Sequence, residues 1–353
     1  MIDIYAGPSA AKVIQEQGLS ADLFNTFLGA SGGPKWFTLF GLDKYLFGEF
    51  FKDRTTPLNL LGSSAGAFRA ACFAQNDPVA AISRLAKSYS ETRYSSNKAK
   101  PEEITTKARE LLCTVFAENG IQEIINNPIF KAHFIVAKSN GFTASENKVM
   151  QLMGLSKSYL ANRMNRRLLS KQYERYVFQP ADSQLSFSDD NTFNTHTIEL
   201  SEDNLADALL ASGSIPLVMQ GIKNIKGTPP GMYRDGGIID YHFDLSIHND
   251  GLILYPHFNN SPKAGWFDKS LKRGVTPSNY ENVVMITPSA DFVASLPYGK
   301  IPDRKDFTEL DADTRIKYWQ QVLDETERLA NSFDEICRHK KPLMIKNITK
   351  DSV

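Results

Sequence analysis

Residues 59 to 74 constrain this chain more than any other stretch. Asn59-Leu60-Leu61 can end a buried strand, Gly62-Ser63-Ser64-Ala65-Gly66 interrupts it in a G-x-S-x-G pattern, and Ala65 to Ala74 is a run of good helix formers. Strand, tight turn and helix in that order are what a nucleophile elbow needs. Gly62 and Gly66 leave room where the turn crowds the strand against the helix. Ser64 then sits at a helix N-terminus, where free N–H groups and the dipole favour developing negative charge. G-x-S-x-G also occurs in ordinary turns, so the segments around it decide its meaning.

Three other segments complete a site. Phe27-Leu28-Gly29-Ala30-Ser31-Gly32-Gly33-Pro34-Lys35-Trp36 carries an apolar run into a Gly-rich turn, and a helix-like pattern follows. Such a turn exposes backbone N–H groups that can hold an oxyanion or a phosphate. Nucleotide binding is not expected: Pro34 precedes Lys35 and Trp36 follows it, which breaks the P-loop pattern, and no G-x-G-x-x-G occurs. Tyr233-Arg234-Asp235-Gly236-Gly237 holds an acid in a turn before two glycines. An Asp is a poor base in water, but burial beside a serine makes it useful. Ala208 to Met219 reads as a helix ending in a small-residue turn, Ser212-Gly213-Ser214, ahead of Pro216.

In this order the four segments resemble the patatin-like phospholipase family. Ser31-Gly32-Gly33-Pro34-Lys35-Trp36 is similar to its G-G-G-x-[RK]-G oxyanion loop, and Gly62 to Gly66 to its elbow. Ala211-Ser212-Gly213-Ser214-Ile215-Pro216 is similar to its A-S-x-x-x-P segment, and Asp235-Gly236-Gly237 to its D-G-[GA] motif. The resemblance spans roughly residues 25 to 245. It implies Ser64 as nucleophile, Asp235 as general base and acid, and Gly32 and Gly33 as the oxyanion hole. Ser31 and Lys35 would support the loop, and Gly62 and Gly66 would shape the elbow. Ser31 and Trp36 depart from family glycines, and Trp36 is expected to narrow the site against bulky substrates. The implied fold is α/β, a three-layer α/β/α patatin-like fold with a mostly parallel central sheet. The implied activity is hydrolysis of lipid acyl esters, of phospholipase A or lysophospholipase type, with no cofactor and no metal. An acyltransferase, a small-ester or thioester hydrolase and a non-catalytic lipid-binding member are the alternatives.

A Ser-His-Asp triad is the rival mechanism, since His242, His248, His257 and His339 all follow Asp235. It leaves the Gly-rich loop and Asp-Gly-Gly idle, and its usual fold places more strands before the elbow than 60 residues hold.

The 353 residues suit one large α/β domain with insertions. Balanced charge, 40 basic against 40 acidic residues, gives no global field for nucleic acid. Three scattered cysteines fit a reducing compartment and no metal site. Met1-Ile2-Asp3-Ile4 does not start a secretory leader, so a cytoplasmic location, peripheral at membranes, is expected. Strands are expected at 133–138, 194–200, 252–258 and 282–287, helical insertions at about 75–130 and 145–180, and one amphipathic helix over 311–338. Residues 157–176 hold six cations and one acid, and read as a basic amphipathic helix that can touch an anionic membrane. Oligomeric state is not legible.

Overall fold

In the computed structural model, which describes residues 1–348 apart from 97, 191–192, 249 and 339–342, eleven strands gather into one mixed sheet, beside a two-stranded ribbon of Ser186–Ser188 with Ser246–His248. Those of the sheet are β1 (Ile2–Ala6), β2 (Phe24–Gly29), β3 (Leu58–Ser63), β4 (Phe130–Ser139), β5 (Tyr173–Gln179) and β6 (Thr195–Glu199). Then come β7 (Ile222–Lys223), β8 (Met232–Asp235), β9 (Leu252–Pro256), β10 (Val283–Pro288) and β11 (Ile345–Asn347). Their order is β11-β1-β10-β9-β2-β3-β4-β5-β6, with β8 lying between β4 and β7. Strands β10, β9, β2, β3 and β4 run parallel. Their sequences are near-continuously apolar, LILYP in β9 and VVMITP in β10, as parallel strands covered on both faces require.

Helices α1 (Pro8–Gln17), α2 (Phe40–Tyr45), α3 (Ala65–Phe73), α4 (Pro78–Ser90), α5 (Pro101–Phe116) and α6 (Gly120–Asn126) precede β4. After it come α7 (Lys148–Met164), α8 (Leu205–Ser212), α9 (Ala290–Ser295), α10 (Asp306–Glu309), α11 (Ala312–Glu325) and α12 (Glu327–Arg338). One sheet face packs Phe27, Leu60 and Phe134 against Leu42, Ala67, Ile82, Leu209 and Phe333 of the helices. The other packs Leu28, Leu61 and Ile135 under Phe243 and Phe258, with Leu155 of α7 beside Ala137 and Ile238. The result is the expected three-layer α/β/α arrangement.

Sheet register places the chemistry. Parallel β3 pairs β4 up to Ser63 opposite Ile135. Antiparallel β8 takes over the same edge of β4, with Asp235 opposite Val136. The strand ends carrying Ser64 and Asp235 therefore meet at consecutive residues of β4. Such a position, at the carboxyl ends of parallel strands, is where open α/β sheets bind ligands.

The four expected strands match β4, β6, β9 and β10, three of them running one or two residues past an observed end, and the 75–130 insertion is α4 to α6. Three expectations need correction. The 145–180 segment is not all helical, because Tyr173–Gln179 is rich in strand formers and pairs with β4. Residues 157–176 are not one helix: α7 ends at Met164, Asn165 is extended and caps Arg167 N–H, and a 3-10 turn (Arg166–Lys171) leads into β5. Two of the six cations there, Arg166 and Arg175, are buried in ion pairs with Asp268 and Asp240. The 311–338 helix is broken at Thr326, whose Oγ1 donates to Leu323 O and accepts from Gly41 N, so α2 seats against the break.

Candidate active site

Ser64 occupies a strained turn, with φ 52° and ψ −123°, between β3 and α3. The sequence permits this turn because glycines interlock beneath it. A Cβ on Gly66 would lie 1.7 Å from Gly29 O, and one on Gly62 would lie 2.4 Å from Gly66 C. Ser64 Oγ donates to Asp235 Oδ2 at 2.9 Å, and Asp235 Oδ1 accepts from Gly237 N at 2.7 Å. Both residues are buried. Burial pushes the Asp235 carboxyl up to about 6, against the pull of the Ser64 and Gly237 hydrogen bonds.

The segment after α8 holds both partners. Ser64 N–H donates to Ser212 Oγ at 3.0 Å, and Ser212 Oγ donates to Ile135 O at 2.7 Å. Asp235 N–H donates to Ser214 O at 3.1 Å. The residues of this stretch read as a helix ending in a small-residue turn, and the resemblance matches it to a family segment without a role. Its serines instead clasp the nucleophile turn on one side and the acid on the other.

Ser31 is buried, with its N–H on Tyr241 O and its Oγ 2.6 Å from Ser63 Oγ. Ser63 Oγ in turn donates to Asp240 O at 2.8 Å, so the loop, the elbow and the turn after Asp235 are tied together. Gly33 has φ 57°, a conformation that favours glycine. A Cβ on Gly32 would press within 2.6 Å of the Phe258 ring. The N–H groups of Gly32 and Gly33 have no hydrogen-bond partner among the described residues, and both glycines line one small pocket with Ser64 and Asp235. Backbone donors left free beside a nucleophile are what an oxyanion needs.

That pocket, about 60 Å³, is walled by Lys35, Lys269 and Arg304. Lys35 forms an ion pair with Asp303 at 3.4 Å. Lys269 Nζ stands 3.9 Å from the Tyr241 ring centre. Burial, then repulsion by Arg304 and Lys35, holds the Lys269 ammonium down to about 7. Lys269 and Arg304 follow the motif-bearing region, and no pattern in the sequence marked them.

On its other side Ser64 borders a cavity of about 480 Å³, lined mainly by apolar side chains including Trp36, Phe68, Leu85, Leu111 and Leu217. This lies within the roughly 300–1,000 Å³ range of ligand sites. Trp36, expected to narrow the site, stands in the wall of this cavity. Its ring packs on Phe37, 4.9 Å between centroids.

No histidine among the described residues hydrogen-bonds Ser64 or Asp235. His242 Nδ1 accepts from Lys263 N and His257 Nδ1 from Asn259 N. Burial holds His242 well below its ordinary range and His257 down to about 3, so both are neutral. His248 ends a two-stranded ribbon, and His339 lies outside the described residues.

A family model described as patatin-like phospholipase matches residues 31–242, which takes in all four segments. The chain belongs to the patatin-like phospholipase family. That family is one of esterases and phospholipases, lipid acyl hydrolases at the level of the family. Among solved structures, human GIVD cytosolic phospholipase A2 shares 10% identity over 94% of this chain and 62% of that chain, with a TM-score of 0.39. VipD from Legionella pneumophila shares 11% over 99% of this chain and 76% of that chain, with a TM-score of 0.33. This chain thus spans 62% of the length of that phospholipase A2. A search of curated proteins found no match.

The patatin-like domain anchors its acid turn with a buried ion pair. Arg175 on β5 donates to both carboxylate oxygens of Asp240, at 2.6 and 2.9 Å, and to Asp189 at 2.7 Å. Arg175→Met leaves Asp240 buried and uncompensated, and is expected to lower stability by about 3–5 kcal/mol. Urea unfolding measures this. Asp240→Leu placed on top should recover part of the loss, and equal midpoints for wild type and Arg175→Met would refute it.

Proposed function

We propose that this chain is a serine acyl hydrolase of phospholipase A or lysophospholipase type that works through a Ser64–Asp235 dyad. The observation that carries the reading is the 2.9 Å hydrogen bond from Ser64 Oγ to Asp235, placed where an apolar cavity meets a cationic pocket. Ser64 Oγ attacks the acyl carbonyl while Asp235 takes its proton, and the oxyanion is held by the N–H groups of Gly32 and Gly33. Collapse expels the alcohol, which recovers the proton from Asp235. Water then attacks the acyl-enzyme along the same route.

The two pockets divide the substrate. The acyl chain occupies the apolar cavity, and the leaving group lies against Lys35, Lys269 and Arg304. Arg304, Lys35 and a Lys269 that is charged in part at neutral pH favour a leaving group that carries negative charge, as a phosphate-bearing glycerol does. Hydrolysis of p-nitrophenyl esters of graded length, and of anionic and zwitterionic lysophospholipids, tests this. Wild type is expected to turn over esters with a medium or long acyl optimum, and Ser64→Ala to turn over none. Lys269→Gln with Arg304→Gln is expected to raise KM for anionic lipids while sparing p-nitrophenyl esters. Activity retained by Ser64→Ala would sink the mechanism, and product formed only with an added alcohol acceptor would make the enzyme a transferase.

A further inference from the structure

Helix α7 is built inside out. The residues it turns toward the protein are largely polar: Gln151 bonds Leu217 N and Ser145 O, Ser158 meets Tyr173 OH, and Asn162 donates to Asp268. Apart from the buried Leu155, its large apolar residues face outward instead. Val149 is 67% exposed, Leu152 53%, Met153 55%, Leu160 61% and Met164 81%. Of the twelve large apolar side chains exposed among the described residues, eight lie between Phe142 and Met164. A water-facing helix normally shows the opposite pattern, and a concentrated apolar patch marks an interaction site.

Charge identifies the occupant. From 147 to 173 the chain holds no carboxylate, while Lys148, Lys157, Arg163, Arg167 and Lys171 are exposed around the apolar stripe. None of the five has an ion-pair partner among the described residues. A second copy of this chain would set these cations against each other. An anionic bilayer accepts both features at once: apolar side chains enter the acyl boundary, and the lysine and arginine heads stay among the lipid phosphates. No helix among the described residues is long and apolar enough to cross a membrane. We propose that α7 docks the enzyme flat on a bilayer containing anionic phospholipid.

The helix is also tied to the rims of both pockets. Gln151 holds Leu217, which lines the apolar cavity. Asn162 holds Asp268, between Trp266 and Lys269 of the cationic pocket. Docking through α7 therefore loads the helix on which both rims lean, and its effect on turnover would travel through those two hydrogen bonds. That consequence rests on the lipid acyl hydrolase reading, whereas the docking itself does not.

Sedimentation of the Ser64→Ala protein with vesicles of phosphatidylcholine, alone or mixed with phosphatidylglycerol, tests the proposal. Strong binding to the mixed vesicles, weakened by salt, is expected. Met153→Glu with Leu160→Glu removes two anchors from the exposed face and is expected to lower partitioning about tenfold or more. Lys157→Gln with Arg163→Gln is expected to lower it only on mixed vesicles, roughly fivefold per cation. In the Ser64-bearing protein both pairs should leave hydrolysis of a short water-soluble ester unchanged, which shows that the fold is intact. A parent that binds no vesicles, or a Met153→Glu/Leu160→Glu protein that binds as well as its parent, overturns the proposal. So does a dimer that these changes split without altering vesicle binding, which assigns the face to a second copy. Vesicle binding by a protein that hydrolyses no ester would leave docking standing and sink the hydrolase reading alone.

Discussion

Asp235→Asn is expected to lose about 100- to 10,000-fold in ester turnover, the usual contribution of a positioned base, and at the same time to stabilise the fold. The carboxyl is buried and its folded pKa, about 6, lies above the ordinary value of 3.8. Every tenfold difference in acidity between the folded and the unfolded chain corresponds to about 1.4 kcal/mol, so ionised Asp235 weakens the fold by about 3 kcal/mol at neutral pH. The sign follows from the raised pKa. The penalty is absent below about pH 4, where the group is protonated in folded and unfolded chains alike; it accrues between about pH 4 and 6 and is constant above. Unfolding midpoints of wild type and Asp235→Asn should therefore converge in acid and separate toward neutral pH, with the variant higher. Activity has the opposite slope. The carboxylate is the form that accepts the Ser64 proton, so wild-type turnover should climb as pH passes about 6 and then level. A turnover profile flat from about pH 4 to 8 would remove Asp235 as the base.

Gly66→Ala is expected to destroy the fold rather than the chemistry. The new Cβ would stand 1.7 Å from Gly29 O, and the obstacle is the backbone at the end of β2, which has nowhere to go. Core overpacking against movable side chains costs about 1–3 kcal/mol. A backbone collision belongs to the class above about 4 kcal/mol. Gly18→Ala makes the comparison. Gly18 has φ 77° and ψ −172° but open space around it, so the cost is only the strained backbone, about 1–3 kcal/mol. Circular dichroism melts of the two proteins should differ widely. A cooperatively folded Gly66→Ala protein with a wild-type melting temperature would show that the elbow can open.

The site was legible where backbone crowding dictates sequence. Gly62 and Gly66 are required by close approach, and Asp235 by a two-residue turn onto Gly237 N–H, so short patterns find them. Lys269 and Arg304 were not legible because their position depends on where later loops return across the sheet. The same reason explains the basic segment. Charge along 157–176 is plain in the sequence, but the carboxylates that bury Arg166 and Arg175 come from Asp268 and Asp240, far along the chain. Periodicity read through Thr326 because the hydroxyl contacts that break the C-terminal helix involve Gly41 on another element. The outward stripe of α7 satisfied the amphipathic pattern, but a pattern does not say which face meets the protein.

The register along β4 has a consequence for how such an enzyme can diversify. Ser63 and Asp235 face neighbouring residues of one strand, Ile135 and Val136, although most of the helical material lining the substrate cavity lies between them in the chain. Insertions or deletions in α4 to α6, or in α7, leave that ladder untouched. The proposed dyad is therefore insulated from changes in the segments proposed to choose the substrate and the surface on which it is found. Exchanging those intervening segments between such enzymes should redirect specificity without rebuilding the reaction.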